Sequence, residues 1–219
     1  MRDFLKKNKW TLIITSVIIL LPIAVGLLLW DKLPERVPFH WGINGEVDGW
    51  ATKTQAVFLM PLMMLGIQWL CSFLTQLDPK REAHNGKMMG LVLWIIPVLN
   101  LFLHVMVWLQ ALGREVNMAV VMPLFMGAMF VILGNYLPKC RQSYTVGIKL
   151  PWTLDDEETW NKTHRLAGKL WVAGGLLCMP CALLSGVWSF IVMMSILVVM
   201  CAVPTVYSYQ LYKKAKKDE

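Results

Sequence analysis

Six apolar stretches, roughly 10 to 30, 54 to 77, 88 to 112, 117 to 135, 167 to 185 and 187 to 211, decide what this chain can fold into. A hydrocarbon core is crossed by about 20 helical residues. Six stretches of that length commit about two thirds of the chain to lipid. The expectation is therefore an all-α integral membrane protein with six transmembrane helices. Composition agrees: 57% of the 219 residues are hydrophobic, 16% are charged, and the mean hydropathy is +0.53.

The first stretch follows Arg2, Lys6, Lys7 and Lys9 in the manner of a secretory leader. Leu29 and Trp30 then occupy the place where a peptidase needs small residues, so it reads as a retained first helix, with Met1 or nearly so kept. Charge orients the spans. The amino terminus, the connections 78–87 and 136–169, and the tail at Lys213, Lys214, Lys216 and Lys217 hold 17 of the 21 Lys and Arg. Lys32, Arg36, Lys53 and Arg114 are the remainder. Basic residues gather on the cytoplasmic side, which predicts both termini in the cytoplasm, N-in and C-in. The net charge of +7 follows from that bias, so the lipid bilayer is the required partner and direct nucleic-acid binding is not.

Each predicted span carries one proline, Pro22, Pro61, Pro97, Pro123, Pro180 or Pro204, which predicts kinked or locally opened helices. Two connections are long. Each opens with Leu-Pro (Leu33-Pro34 and Leu137-Pro138), and the halves 1–112 and 113–219 read as a 3+3 inverted pseudo-repeat. In the first half, the outer loop 31–53 is rich in proline, glycine and an Asn-Gly pair and is expected to be compact. Phe39, Trp41 and Trp50 suit the headgroup boundary. In the second half, the cytoplasmic loop 136–166 is expected to be irregular up to Pro151. A helix then starts with Thr153 as its cap, the acids Asp155 to Glu158 in its first turn, and Trp160 and His164 on one face.

Chemistry is sparse. HExxH, GxSxG, phosphate-cradling glycine loops and paired Cys/His zinc spacings are missing, so neither a metal nor a cofactor is expected and an enzyme is disfavoured. Cys71, Cys140, Cys178, Cys181 and Cys201 form no disulfide framework, and the Cys178/Cys181 pair inside a span reads as packing. His40 near Glu46 and Asp48, and His164 near Glu157, read as structural hydrogen-bonding groups ahead of metal or proton sites. Asn100 and His104 place two polar groups on one intramembrane helix face, with Gln68, Ser72 and Thr75 as the expected partner stripe.

The two long loops resemble something specific. Residues 33–53, LPERVPFHWGINGEVDGWATK, resemble the extracytoplasmic motif of the SdpI family of multi-pass bacteriocin-immunity proteins, at Leu33, Pro34, Pro38, His40, Gly45, Asp48 and Lys53. GNYLPK at 134–139, Tyr144, Gly147, PWTL at 151–154, Trp160, Thr163 and His164 resemble the same family's cytoplasmic signature. Ser143 stands where the family usually has Asn, and Lys149 where Arg is common; a lysine there binds an anion less well than a bidentate arginine.

The resemblance implies immunity to a secreted, membrane-active peptide toxin. It also implies signalling, by holding a cytoplasmic DNA-binding repressor at the membrane. The aromatic, turn-rich composition of residues 37–53 on the outer side makes Pro38, His40, Trp41, Asp48, Trp50 and Lys53 the toxin-facing candidates. Asn135, Lys139, Arg141, Tyr144, Gly147, Lys149, Pro151, Trp152, Trp160, Thr163 and His164 form the cytoplasmic motif, read as a structural latch or a regulator-facing surface. The alternative is a membrane-embedded transporter or enzyme using Asn100, His104 and the loop histidines.

Overall fold

The computed structural model describes residues 2–80 and 86–218. Within the basic 78–87 connection, 81–85 lie outside the described residues, as does Met1. Among the described residues six helices are long and apolar enough to cross a membrane: Lys6–Leu28, Gln55–Gln76, Met88–Ala111, Met118–Lys139, Glu157–Leu183 and Gly186–Lys217. They fall where the apolar stretches place them, because helix length and hydrocarbon thickness are the same constraint.

The chain divides into two compact units, Met1–Leu77 with Met89–Asn117, and Asp78–Met88 with Met118–Glu219. In the first, α1 (Arg2–Leu28) leads through a short turn, Trp30–Lys32, into strands β1 (Arg36–Trp41) and β2 (Val47–Thr52). A π-helical turn, Gln55–Leu59, then opens α2 (Met60–Gln76), and α3 (Gly86–Ala111) follows. The hairpin corrects the all-α reading. Arg36 pairs with Thr52, Val37 with Ala51 and Pro38 with Trp50, antiparallel, about a turn in which Gly45 has φ +79°. Asn-Gly between two runs containing Val, Phe and Trp is a hairpin signal, since such turns require a residue that accepts positive φ.

The core of this unit joins hairpin to helices through Leu33, Val37, Ala51, Ala56, Val57, Val107 and Trp108. Polar bonds cross between helices nearby. Gln68 Nε2 donates to the Leu93 carbonyl at 2.8 Å, and Asn100 Nδ2 to the Ile19 carbonyl at 3.0 Å. The expected partner stripe is therefore corrected: Gln68 meets the Leu93 carbonyl and, at 3.5 Å, the Thr15 hydroxyl, while Ser72 and Thr75 bond back to their own helix at the Gln68 and Cys71 carbonyls. A hydroxyl four residues past a helical carbonyl finds that acceptor without needing a second helix.

The second unit contains α4 (Met118–Tyr136), a turn at Leu137–Lys139, an irregular stretch, the short α5 (Pro151–Asp155), α6 (Glu157–Cys178) and α7 (Gly186–Asp218). Helices α4 and α6 touch along glycines seven residues apart. A Cβ on Gly127 would stand 2.6 Å from the Gly175 carbonyl, and one on Gly134 would stand 2.9 Å from that of Gly168. Small residues let backbones approach closely where burying oil against oil offers no net drive.

The prolines divide. Pro22, Pro97, Pro123 and Pro204 sit inside continuous helices, whereas Pro61 follows the π-helical turn and Pro180 lies in the tight turn Met179–Leu183 that ends α6.

Candidate functional site

The structure offers two polar constructions, one in each unit. In the first unit the hairpin is pinned at its base and decorated at its tip. Lys53 Nζ reaches Glu35 at 3.1 Å, the Trp30 carbonyl at 3.4 Å, and lies 4.7 Å from the centre of the Trp30 ring. Trp41 Nε1 donates to Gln110 Oε1 at 2.6 Å, tying β1 to the end of α3, and Pro38 is buried. Across the strands, His40 Nδ1 lies 2.5 Å from Asp48 Oδ1, with both side chains more than half exposed. Gly49 sits opposite His40 because a Cβ there would stand 2.7 Å from that of His40. Phe39, Ile43 and Trp50, at 43%, 51% and 55% exposure, stand outward. Glu46 contributes its backbone carbonyl to the turn, not its carboxylate to His40.

In the second unit, Asp78 is the hub of a latch. Its carboxylate is 1% exposed. Oδ2 accepts from the Ser143 hydroxyl at 2.6 Å, the Thr145 hydroxyl at 2.9 Å, and the N–H groups of Tyr144 and Thr145 at 3.0 and 3.1 Å. Oδ1 accepts from the Lys80 N–H at 2.8 Å. A buried carboxylate is tolerated only when donors replace its water, and this loop supplies them. Gln142 extends the network: its Oε1 accepts from Lys80 Nζ, and its Nε2 donates to the Thr153 and Leu154 carbonyls, each at 2.9 Å.

The floor of the latch is α6. Trp160, fully buried, donates its indole N–H to the Cys140 carbonyl at 2.8 Å and stacks on His164 with ring centres 4.1 Å apart. His164 Nε2 accepts from the Ile148 N–H at 2.9 Å, so the ring proton resides on Nδ1, which faces the Trp160 carbonyl at 2.8 Å. The neutral imidazole is thereby fully bonded; a proton on Nε2 would oppose the Ile148 donor. Gly147 lies over this stack at φ +118°, and a Cβ there would stand 2.7 Å from His164 Nε2 and from the Trp160 ring.

Thr153 is corrected as helix cap. It is the third residue of α5, where its hydroxyl accepts from the Leu150 N–H at 2.9 Å and reaches the Ile148 carbonyl at 2.8 Å. Asp156, in extended conformation, caps α6 by accepting from Glu158 N at 3.2 Å and Thr159 N at 2.6 Å. Burial raises its carboxyl, but the Thr159 side chain, the Thr159 and Glu158 N–H groups, and Lys162 outweigh that and hold it below the usual range. Cys140, buried with Sγ 3.4 Å from the Val146 carbonyl, has its thiol pushed up to about 11 by burial.

The sequence-marked residues divide accordingly. Trp160, Thr163 and His164 are buried in the second unit, Gly147 is half-buried against the Trp160 and His164 rings, and Trp152 donates to Ser208 Oγ of α7 at 2.8 Å. Arg141, Tyr144, Lys149 and Pro151 line the exposed side of the same loop. Lys149 Nζ donates to the Thr145 carbonyl at 3.2 Å, and Lys139 lies over the Tyr136 ring at 4.8 Å. Asn135 bonds its own helix at Val131 and does not join the latch.

Asn100 and His104 are buried in the first unit, with His104 Nδ1 2.8 Å from the Asn100 carbonyl. Among the described residues no group of three or more His, Cys, Asp or Glu is placed to hold a metal ion. Sequence reasoning missed Asp78, Gln142 and Ser143 as a unit. The available signal was an acid directly after a span, in a connection otherwise marked by basic residues.

Comparison with known proteins follows the same two constructions. The SdpI/YfhL protein family matches residues 139–208, which spans most of the latch and its packing partner Ser208. A domain of unknown function (DUF1648) matches residues 17–65, which contains the hairpin. The chain is similar to Immunity protein SdpI of Bacillus subtilis (strain 168), at 29% identity over 210 residues, covering 96% of this chain and 98% of that protein. No solved structure matches. Asp78, Asn100 and His104 lie between the two matched regions.

Proposed function

Because the chain belongs to the SdpI family, we propose that it is a bacterial plasma-membrane immunity protein that protects its cell from a secreted, membrane-active peptide toxin by binding, not by catalysis. The observation that carries this is similarity to an immunity protein along 96% of the chain. The basic residues favour both termini in the cytoplasm. In that orientation the hairpin faces the secreted peptide and the latch faces the cytoplasm. Phe39, Ile43 and Trp50 then form a rigid apolar tip at headgroup level, suited to an amphipathic partner, with His40 and Asp48 beside it. The exposed rim of Arg141, Tyr144 and Lys149 over a bonded latch suits a cytoplasmic DNA-binding repressor, and signalling through it is the second act of the same reading.

The test is a toxin challenge of a sensitive strain expressing the full chain. Protection is expected, reduced by Trp50→Ala at unchanged membrane level. Arg141→Ala with Lys149→Ala should keep protection and lose toxin-dependent recovery of the repressor. Absence of protection against any cognate or neighbouring-strain peptide overturns the immunity reading; unchanged repressor recovery overturns the signalling one.

A further inference from the structure

Helix α6 has two faces with different tasks. Thr159, Trp160, Thr163, His164, Ala167 and Gly168 are buried and hold the latch. Lys162, Arg165 and Lys169, spaced i, i+3 and i+7, stand on the opposite, exposed face. With Leu166 and with Tyr207 of α7 they line a groove of about 280 Å³. Lys162 is paired with Glu158 at 2.6 Å, whereas Arg165 and Lys169 have no carboxylate partner among the described residues. Two unneutralised cations and a phenol around one groove leave a site for an anion.

What lies beyond the groove selects among anions. One and two turns past Lys169 the same stripe continues as Ala173, Leu176 and Leu177, all exposed. On α7 the stripe from Tyr207 runs back through Val203 and Val199, also exposed. The two helices run antiparallel, with Gly174 against Met200 and the cationic stretch against Tyr207, so the apolar tracks lie side by side. Cations at one end and a double oily track at the other match an anion carrying acyl chains. An acidic protein segment would satisfy the first half only, and a free phosphate likewise.

We propose that the α6–α7 groove binds one anionic glycerophospholipid, its phosphodiester held by Arg165 and Lys169 with Lys162 and Tyr207 at the rim, and its acyl chains lying along Leu176, Leu177, Val199 and Val203. Arginine and lysine hold a phosphate by charge-assisted hydrogen bonds, and each basic group near an anionic lipid surface contributes roughly a fivefold gain in binding.

The test is native mass spectrometry of the full chain released from nanodiscs containing phosphatidylglycerol and phosphatidylcholine. A single retained phosphatidylglycerol is expected. Arg165→Gln with Lys169→Gln should lower its retention about tenfold or more, while Arg165→Lys with Lys169→Arg keeps it. Lys214→Gln with Lys217→Gln, which removes equal charge from the tail, should leave it within about twofold. The proposal is overturned by equal retention of the two lipids, by equal loss in the groove and tail variants, which means diffuse attraction, or by inorganic phosphate displacing the lipid and remaining bound in its place. If the Gln pair fails to fold, loss of the lipid in the Lys/Arg exchange variant overturns it as well.

Discussion

Gly147 shows how closely the latch is built. Its φ of +118° lies where side-chain-bearing residues are strained, and the space a Cβ needs is taken by the Trp160 and His164 rings at 2.7 Å. Gly147→Ala is expected to cost about 2 kcal/mol or more, from backbone strain plus displaced rings, read as a lower Tm of the purified protein. Cys140 is a second single-residue probe. With its thiol at about 11, the thiolate needed for alkylation is scarce near pH 8. Maleimide labelling of a variant keeping only Cys140 should be slow when folded and at least about tenfold faster in denaturant, where the thiol returns to an ordinary value. Fast labelling of the folded form would place Cys140 outside the latch. Of these residues, Gly147 was visible as part of a motif, but its reason was not: neither φ nor a stacked pair 13 to 17 residues away can be read from one glycine.

At the scale of elements, the helices were legible and their ends less so. Apolar length predicts a span directly, whereas a cap depends on which of several neighbouring polar side chains reaches the free N–H groups. Thr153 and Asp156 both have suitable side chains; Pro151 starts a separate short helix, so Thr153 turns back to Leu150 and Asp156 caps α6. Asp156→Ala should therefore destabilise the start of α6 by about 1 kcal/mol. Because the folded carboxyl is held below its unfolded value, this stabilisation is present above about pH 4 and is lost as pH falls toward the folded value. Hydrogen-exchange protection at Glu158 and Thr159, taken relative to the intrinsic rate at each pH, should fall in acid in the parent and change less in the variant. The glycine seam between α4 and α6 makes a larger prediction. Gly168→Leu meets the Pro138 ring and the Gly134 carbonyl, at 2.5 and 2.9 Å from the new Cβ alone, and should prevent the pair from packing, seen as loss of the monodisperse protein on size exclusion.

For the whole molecule, the six spans are separated by connections whose basic residues predict sidedness. A reporter active only outside the cytoplasm should be active when inserted at Gly45 and inactive at Tyr144; the reverse pattern would invert the proposed roles of hairpin and latch. Spans, their number and the two motif-bearing loops were readable in sequence, because each rests on local quantities: apolar length, charge and short patterns of residues. The Asp78 hub, the proton position on His164 and the cation-lined groove were not. Each joins residues distant along the chain, as Asp78 does with Ser143, and only folding decides which donor meets which acceptor once water has been removed. The oily stretches of the sequence made a membrane protein inevitable; the tertiary structure decided how its few polar groups are satisfied and which are left facing outward.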